Sequence, residues 1–192
     1  MDNGHYPSFG AALRTAAFQV ASISTTTGFA TRDTTLWPSL SMGILVVCSI
    51  FCGCSGSTSG GIKMDRLILA VKGVGRKMRN FMSPNAVYTI RMDGFARSDR
   101  QVNDAFGYMF CYFVILIVGG IFNMAGGLDF TTAITASIAC IGNVGPGFGE
   151  VGSMANYGDF PVLLKVSGML EMIIGRLEIF PILYLLQGFR KS

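Results

Sequence analysis

The sequence predicts an all-α integral membrane protein made of pore-loop units, each a span, a re-entrant short helix, a turn and a second span. Three observations predict it. Only 14% of the 192 residues are charged against 51% apolar, and mean hydropathy is +0.50. A soluble domain carries about 25% charged residues, so these charges would hardly cover a soluble surface. Long uncharged runs also occur, 24 residues from Ala105 to Leu128 and a second from Leu36 to Ile62, where about 20 suffice to cross a bilayer as a helix. Finally, two Gly-containing turns stand in similar surroundings 119 residues apart, Thr26-Thr27-Gly28-Phe29 and Gly145-Pro146-Gly147-Phe148.

The first unit opens with Phe9–Ser24, an Ala-rich helix candidate too short and polar to span. The hydroxyl-rich turn "STTTGFAT" (24–31) follows, then a polar stretch and the long segment from Leu36. In the second unit Ala105–Leu128 spans. Phe130–Ile141 is a short helix candidate with Asp129 or Thr131 as its cap. "NVGPGF" (143–148), a polar loop to Asp159 and a third long segment, Phe160–Gln187, complete it. The first unit lacks an opening span. The domains expected are 1–100 and 101–192. Repeats of this kind are frequent in transport proteins.

Non-helical backbone at membrane depth needs burial in protein or a water-filled path. Carbonyl oxygens supply a reason for it, because a turn like Thr-Thr-Gly-Phe resembles the Thr-Val-Gly-Tyr of potassium-channel filters, where carbonyls replace ion hydration. Gly28 allows the backbone angles this requires. Pro146 lacks an N–H, but a filter uses only its carbonyl. The C-terminal end of each short helix, partly negative, suits a cation.

The run "CGCSGSTSGGIK" (52–63) breaks the first long segment, since Gly53, Gly56, Gly60 and Gly61 cannot hold a helix. A phosphate-binding loop is the rival reading. Gly56 and Gly61 have its spacing, but Ile62, Lys63 and Met64 follow where Lys and a hydroxyl residue belong. A hydroxyl-lined intramembrane loop that obstructs ions and moves aside fits better. Arg176 lies inside the last span, where a charge costs at least about 2.5–3.5 kcal/mol unless it faces water or a partner. It shares a helical face with Lys165, Met169 and Met172, while Glu171 and Glu178 share another. A pore-facing role and a buried ion pair both remain open for Arg176.

Nine of the 15 Lys and Arg fall between Lys63 and Arg100. Such residues favour cytoplasmic loops, which puts 63–100, with the Arg190-Lys191 tail, on the cytoplasmic side. No groove-reading motif accompanies them, so nucleic-acid binding is not expected. Cys48, Cys52, Cys54, Cys111 and Cys140 form no C-x-x-C pair and stand far from His5, so zinc is not expected. Met1–Pro7 carries no apolar core of a secretory signal.

These motifs, with "GCSGSTSGGIKMDR" (53–66) and "GMLEMIIGRLEIFPILYLL" (168–186), resemble the Trk/Ktr/HKT potassium transporter superfamily over nearly the whole chain, and most closely its bacterial TrkH type. The resemblance implies four pore-loop repeats around a pseudo-fourfold pore, of which this chain matches the third, without its first helix, and the whole fourth. It implies that Thr26, Thr27, Gly28 and Phe29, and Gly145, Pro146, Gly147 and Phe148, are filter strands. K⁺, the permeant ion, would meet the carbonyls of Thr26, Thr27, Gly28, Gly145, Pro146 and Gly147. It implies a gating loop of Gly53, Ser55, Gly56, Ser57, Thr58, Ser59, Gly60 and Gly61, in a broken helix, and Arg176 as a pore-facing gate charge. Ser59 stands where relatives often have Gly. The expected setting is the bacterial inner membrane, as a homodimer on a cytoplasmic ring of TrkA-type regulatory subunits that bind NAD or ATP. No organic cofactor is expected on this chain itself. Two filter strands surround half an ion, so the missing N-terminal half of the pore is an expected partner, and the chain reads as a fragment or truncated frame. The competing functions are a membrane-embedded nucleotide hydrolase, which the Lys spacing disfavours, and a non-conducting half-pore assembly or regulatory module.

Overall fold

The computed structural model describes residues 8–54, 56–57, 59–83 and 88–177. Six helices follow in order: α1 Phe9–Ser24, α2 Ser39–Ile50, α3 Met64–Met82, α4 Asp99–Ala125, α5 Phe130–Gly142 and α6 Val162–Leu177. Between α3 and α4 stands a two-stranded antiparallel hairpin, β1 Ile90–Met92 with β2 Phe95–Arg97. The expected all-α chain is therefore mostly, not wholly, helical. The hairpin has a local cause. Asp93 and Gly94 both take positive φ, 53° and 80°, the geometry that Asp-Gly favours in a two-residue hairpin turn.

Helix boundaries follow from capping. The Ser8 hydroxyl accepts from the Ala11 N–H at the start of α1. Ser98 and Gln101 form a reciprocal capping box that starts α4. Asp129, rather than Thr131, caps α5, accepting the N–H groups of Thr131 and Thr132 at 3.0 and 3.2 Å. Among the described residues α4 alone is both long and apolar enough to cross a membrane. The helical stretch begun by α6 ends, as described, at Leu177, so the expected Glu178 and the remainder of Phe160–Gln187 lie outside the described residues.

The long segment expected from Leu36 is broken where its glycines predict. Helix α2 ends at Ile50 and α3 begins at Met64. The Ile62 N–H donates to the Ile50 carbonyl and the Met64 N–H to the Gly53 carbonyl. The intervening chain thus leaves the helical path and returns to where it left.

Helices α4, α5 and α6 pack through small residues, which let backbones approach closely. A β-carbon on Gly119 of α4 would overlap the Glu171 carboxylate of α6 and lie 2.7 Å from the Ser137 hydroxyl of α5. One on Gly126 would lie 2.6 Å from Leu164. Tyr108, Tyr112 and Leu116 of α4 bury against Ile138 and Ile141 of α5 and against Ile62. Glu171, placed by sequence on a different helical face from Arg176, is buried within this chain. Helix α3 lies against α4 through Gly73, packed on Val102 and Phe106, and through an Arg76–Asp99 ion pair.

Gly119→Ala is expected to destabilise the three-helix contact by about 1–3 kcal/mol, the usual cost of overpacking. Gly10→Ala, where a β-carbon meets nothing within 4 Å, should be neutral or slightly stabilising. Thermal unfolding of both variants in one detergent checks the pair. At the connection between α4 and α5, the Thr132 hydroxyl and amide and the Thr131 amide hold the Asp129 carboxyl below its ordinary value. A lowered carboxyl contributes stability above its unfolded pKa of about 3.9, and that contribution disappears as pH falls through the folded value. Asp129→Asn should therefore flatten the acid limb of the unfolding profile below about pH 4.

Candidate functional site

Helices α1 and α5 each end in the same backbone turn. After α1, the Thr26 N–H donates to the Ile23 carbonyl and the Thr27 N–H to the Ser22 carbonyl. After α5, the Asn143 N–H donates to the Cys140 carbonyl and the Val144 N–H to the Ala139 carbonyl. Both are reverse turns of the Schellman type, with a residue in the left-handed region closing the helix. Thr26 has φ 55° and Asn143 φ 54°, and the next left-handed residues are Gly28 and Gly145, at φ 77° and 103°.

The equivalent residues are thus Thr26 with Asn143, Thr27 with Val144 and Gly28 with Gly145. The offset is 117 residues, and the 119-residue pairing of Gly28 with Gly147 and Phe29 with Phe148 is corrected. The shared Gly-Phe pair suggested that register, but the two Phe side chains do different things. Phe148 is buried with Val144, Ile23 and Leu45, whereas Phe29 is 71% exposed. Asn143 and Val144, absent from the sequence-predicted strand, occupy the positions in this turn that Thr26 and Thr27 occupy in the other. Their signal was the helix-ending hydrogen-bond pattern, which pairs Thr-Thr-Gly with Asn-Val-Gly.

Each turn leads into a strand that runs back beside its own helix. The Ser22 hydroxyl donates to the Phe29 carbonyl at 2.6 Å. The Thr135 hydroxyl accepts from the Phe148 N–H at 2.9 Å and donates its proton to the Thr131 carbonyl at 2.7 Å, with the Phe148 carbonyl at 3.2 Å. Gly147 lies so close that a β-carbon would stand 3.1 Å from the Thr135 backbone. The two turns also meet each other. A β-carbon on Gly28 would overlap the Val144 carbonyl oxygen and stand 3.3 Å from the Pro146 ring. Beyond them, Thr34 and Ser153 share a hydroxyl–hydroxyl bond at 2.5 Å. Of the carbonyls expected to face an ion, that of Gly145 accepts a hydrogen bond from the Tyr157 hydroxyl at 2.8 Å.

The glycine-rich loop lies against the ends of both short helices. The Gly53 N–H donates to the carbonyl of Ser24, the last residue of α1. A β-carbon on Gly60 would stand 2.6 Å from the carbonyl of Gly142, the last residue of α5, and 2.9 Å from the Asn143 amide. The Ser57 and Ser59 hydroxyls pair at 2.5 Å. The Cys52 thiol, buried, donates to the carbonyls of Ser49 and Gly60. The Tyr108 hydroxyl reaches the Gly61 carbonyl at 3.3 Å, and the Arg66 guanidinium stacks 3.9 Å above the Tyr108 ring. Ser55 and Thr58 of the expected loop lie outside the described residues, and Gly56 has open space around its α-carbon.

Arg176 is exposed on α6. It follows Gly175, whose missing β-carbon leaves room for the Ile141 carbonyl near the end of α5. Met169 and Met172 of its expected face are also exposed, whereas Lys165 reaches back to the Gly158 carbonyl at 2.5 Å.

This geometry has solved counterparts. The crystal structure of the potassium transporter TrkH from Vibrio parahaemolyticus superposes with a TM-score of 0.85 at 37% identity, over 94% of this chain and 38% of that one. The Trk system potassium uptake protein TrkH of Salmonella typhimurium is 36% identical over 181 residues, 94% of this chain and 37% of that protein. Its counterpart in Vibrio parahaemolyticus is 38% identical over 171 residues, 89% of this chain and 35% of that protein. The chain thus spans a little over a third of the length of these relatives. The family model for TrkH, described as a cation transport protein, matches residues 5–188. The chain belongs to the TrkH family of cation transport proteins, a family of transporters and not of enzymes.

Proposed function

We propose that the chain forms two pore-loop units of a potassium uptake pore in a bacterial inner membrane, residues 1–100 and 101–192, each contributing one filter strand. The observation that carries this reading is the convergence of α1 and α5. Both end in the same turn, the turns touch at Gly28 and Val144, and the glycine-rich loop lies under both ends. Helix C-termini carry partial negative charge, so their convergence favours a cation between them. The relatives' names as potassium uptake proteins support potassium as that cation.

On this reading K⁺ passes carbonyls of Thr26, Thr27, Gly28, Asn143, Val144, Pro146 and Gly147, with Phe29 and Phe148 closing the strands. Their side chains do no coordination. Val144 and Phe148 brace the strand from behind, in the wedge shared with Ile23 and Leu45. Inward flow of one cation gains about 2.3 kcal/mol per 100 mV of membrane potential. The loop from Gly53 to Gly61 is the gate, obstructing the path below the filter, and Arg176 is the charge that works with it. Two further units of the same pore complete the ring around the ion.

The basic segment from Lys63, with α3 and the hairpin, faces the cytoplasm, as does the C-terminus. It is the side on which a ring of TrkA-type subunits, carrying NAD or ATP, would dock. The transporter works as a homodimer.

The decisive measurement is ⁸⁶Rb⁺ uptake into proteoliposomes by this chain alone and by the chain joined to the two further units. Uptake only by the joined protein is the expected result. Uptake by the chain alone would mean that copies close a complete pore. No uptake by either, with insertion verified, would sink the permease reading in favour of a non-conducting half-pore module.

In the complete pore, Gly28→Ala is expected to lower the K⁺/Na⁺ permeability ratio more than Gly147→Ala. The first pushes on a carbonyl of the neighbouring strand and forces a non-glycine residue to a positive φ. The second pushes on the Thr135 backbone behind its own strand. Equal ratios in both variants and wild type would remove these positions from the filter. Gly60→Ala, and deletion of 55–60, should raise flux by lifting the loop off the end of α5, and a lower or unchanged flux in both would remove the gate.

A further inference from the structure

We propose that Tyr157 is a positioning residue for the filter, holding the Gly145 carbonyl from behind and so setting how the strand presents its oxygens to the ion. The proposal rests on the filter reading above and adds to it a residue outside the turns.

The observation is a peptide unit with a single hydrogen-bonding group. An ordinary peptide is anchored through both its N–H and its C=O. The unit joining Gly145 to Pro146 has no N–H, because proline lacks one. Its orientation therefore depends on what the carbonyl touches. Gly145 is also the residue least able to resist rotation, since it lacks a side chain and sits at φ 103° with nothing within 4 Å of where a β-carbon would be. The strand is tied down on either side of it: the Val144 N–H bonds to the Ala139 carbonyl, the Gly147 N–H to the Val151 carbonyl at 2.7 Å, and the Phe148 N–H to the Thr135 hydroxyl at 2.9 Å. The Gly145–Pro146 unit can be held only through its carbonyl, and the Tyr157 hydroxyl donates to that carbonyl at 2.8 Å.

Tyr157 is itself well placed to act as an anchor. Its ring packs edge-on to Phe160 at 5.5 Å between centroids, and both join a cluster with Ala136, Val151 and Leu164. That cluster ties the loop after the strand to α5 and α6. A tyrosine loses little conformational freedom in such a pocket, and its hydroxyl reaches the strand from a rigid wall. The consequence is a filter with one carbonyl drawn aside. Without the hydroxyl, the unit can turn its oxygen toward the ion path, adding a ligand of variable position. Selectivity that depends on the number and placement of carbonyl ligands then relaxes.

The test is Tyr157→Phe in the complete transporter, reconstituted in proteoliposomes, with the K⁺/Na⁺ permeability ratio as the readout. The expected result is a ratio lowered roughly two- to tenfold, the range that one neutral hydrogen bond carries, with K⁺ flux retained. A wild-type ratio overturns the proposal. So does an unchanged ratio with a lowered unfolding midpoint, which would make Tyr157 a packing residue only. A second measurement does not depend on the variant folding. In wild-type protein carrying a ¹³C=¹⁸O label at the Gly145 carbonyl, the isotope-edited infrared band should lie at a hydrogen-bonded frequency and stay there when K⁺ is replaced by Na⁺. A band that moves with the ion would make that carbonyl an ion ligand and overturn the proposal. If the wild-type transporter carries no K⁺ at all, the filter reading itself falls and this proposal with it, a result distinct from a conducting wild type with an unaltered variant.

Discussion

The arrangement depends on backbone meeting backbone at the ends of two short helices. Ser24 and Gly142 present their last carbonyls to the same region, and what touches them is main chain: the Gly53 N–H at one and the Gly60 α-carbon at the other. A single β-carbon at Gly60 would come within 2.6 Å of the Gly142 oxygen, far inside normal contact. The same holds between the turns, where the Gly28 α-carbon fills the space beside the Val144 carbonyl. Glycine here is demanded by approach distance as much as by backbone angle. The surrounding helices supply the force that holds the ends together. Gly119 and Gly126 let α4 seat α5 and α6, and Gly175 lets α6 cross the end of α5.

Much of this was legible because it is local. Helix α1 has the expected limits Phe9–Ser24, α5 differs from its expected range by one residue, and the break after Ile50 follows from its glycines. Each is written in capping residues, apolar content or helix-breaking residues within a few positions. The register between the two turns was not legible in the same way. Gly-Phe in both sequences gives an offset of 119, whereas the hydrogen bonds of the helix ends give 117. Side-chain likeness misled because the two turns match in their main-chain hydrogen bonds, while their side chains answer to different neighbours. Phe148 meets a wedge of α1 and α2, and Phe29 meets none. The hairpin was missed for the opposite reason. Asp93-Gly94 is a strong turn signal, but it was hidden inside a stretch read only for its charge. Tyr157 lay beyond any sequence signal, since its partner is a backbone oxygen 12 residues away.

Glu171 illustrates how a membrane-type helix bundle handles a carboxyl. Its side chain is buried between Gly119 of α4 and the Ser137 hydroxyl of α5. The contact reads as a shape fit, with the carboxyl filling the space that the missing Gly119 side chain leaves. The backbone carbonyl of Met172, its neighbour on α6, accepts a hydrogen bond from the Asn143 side-chain amide at 3.1 Å. The carboxyl contact thus sits one residue from a bond to the candidate filter strand, and the seating of α6 on α4 bears on the strand's geometry.

The glycine-rich loop is built to be less secure than what it touches. Its bonds run mainly to its own ends and to two helix termini: Ile62 to Ile50, Met64 to Gly53, Cys52 to Gly60, Gly53 to Ser24. Its described residues from Gly53 to Gly60 join none of the buried apolar clusters, whereas the turns above it are bound into one by Ile23, Val144 and Phe148. Elements with few apolar contacts open at lower free energy than the core. Displacing the loop would break the Gly53 bond and the Gly60 contact while leaving the Schellman turns, the Thr135 bridge and the α4–α5 interface intact. A segment that closes on itself at Ile50 and Ile62 can also move without pulling α2 and α3 apart. Strength in the turns and weakness in the loop are separate consequences of where the apolar side chains fall. That division is what a pore with a fixed filter and a movable obstruction requires.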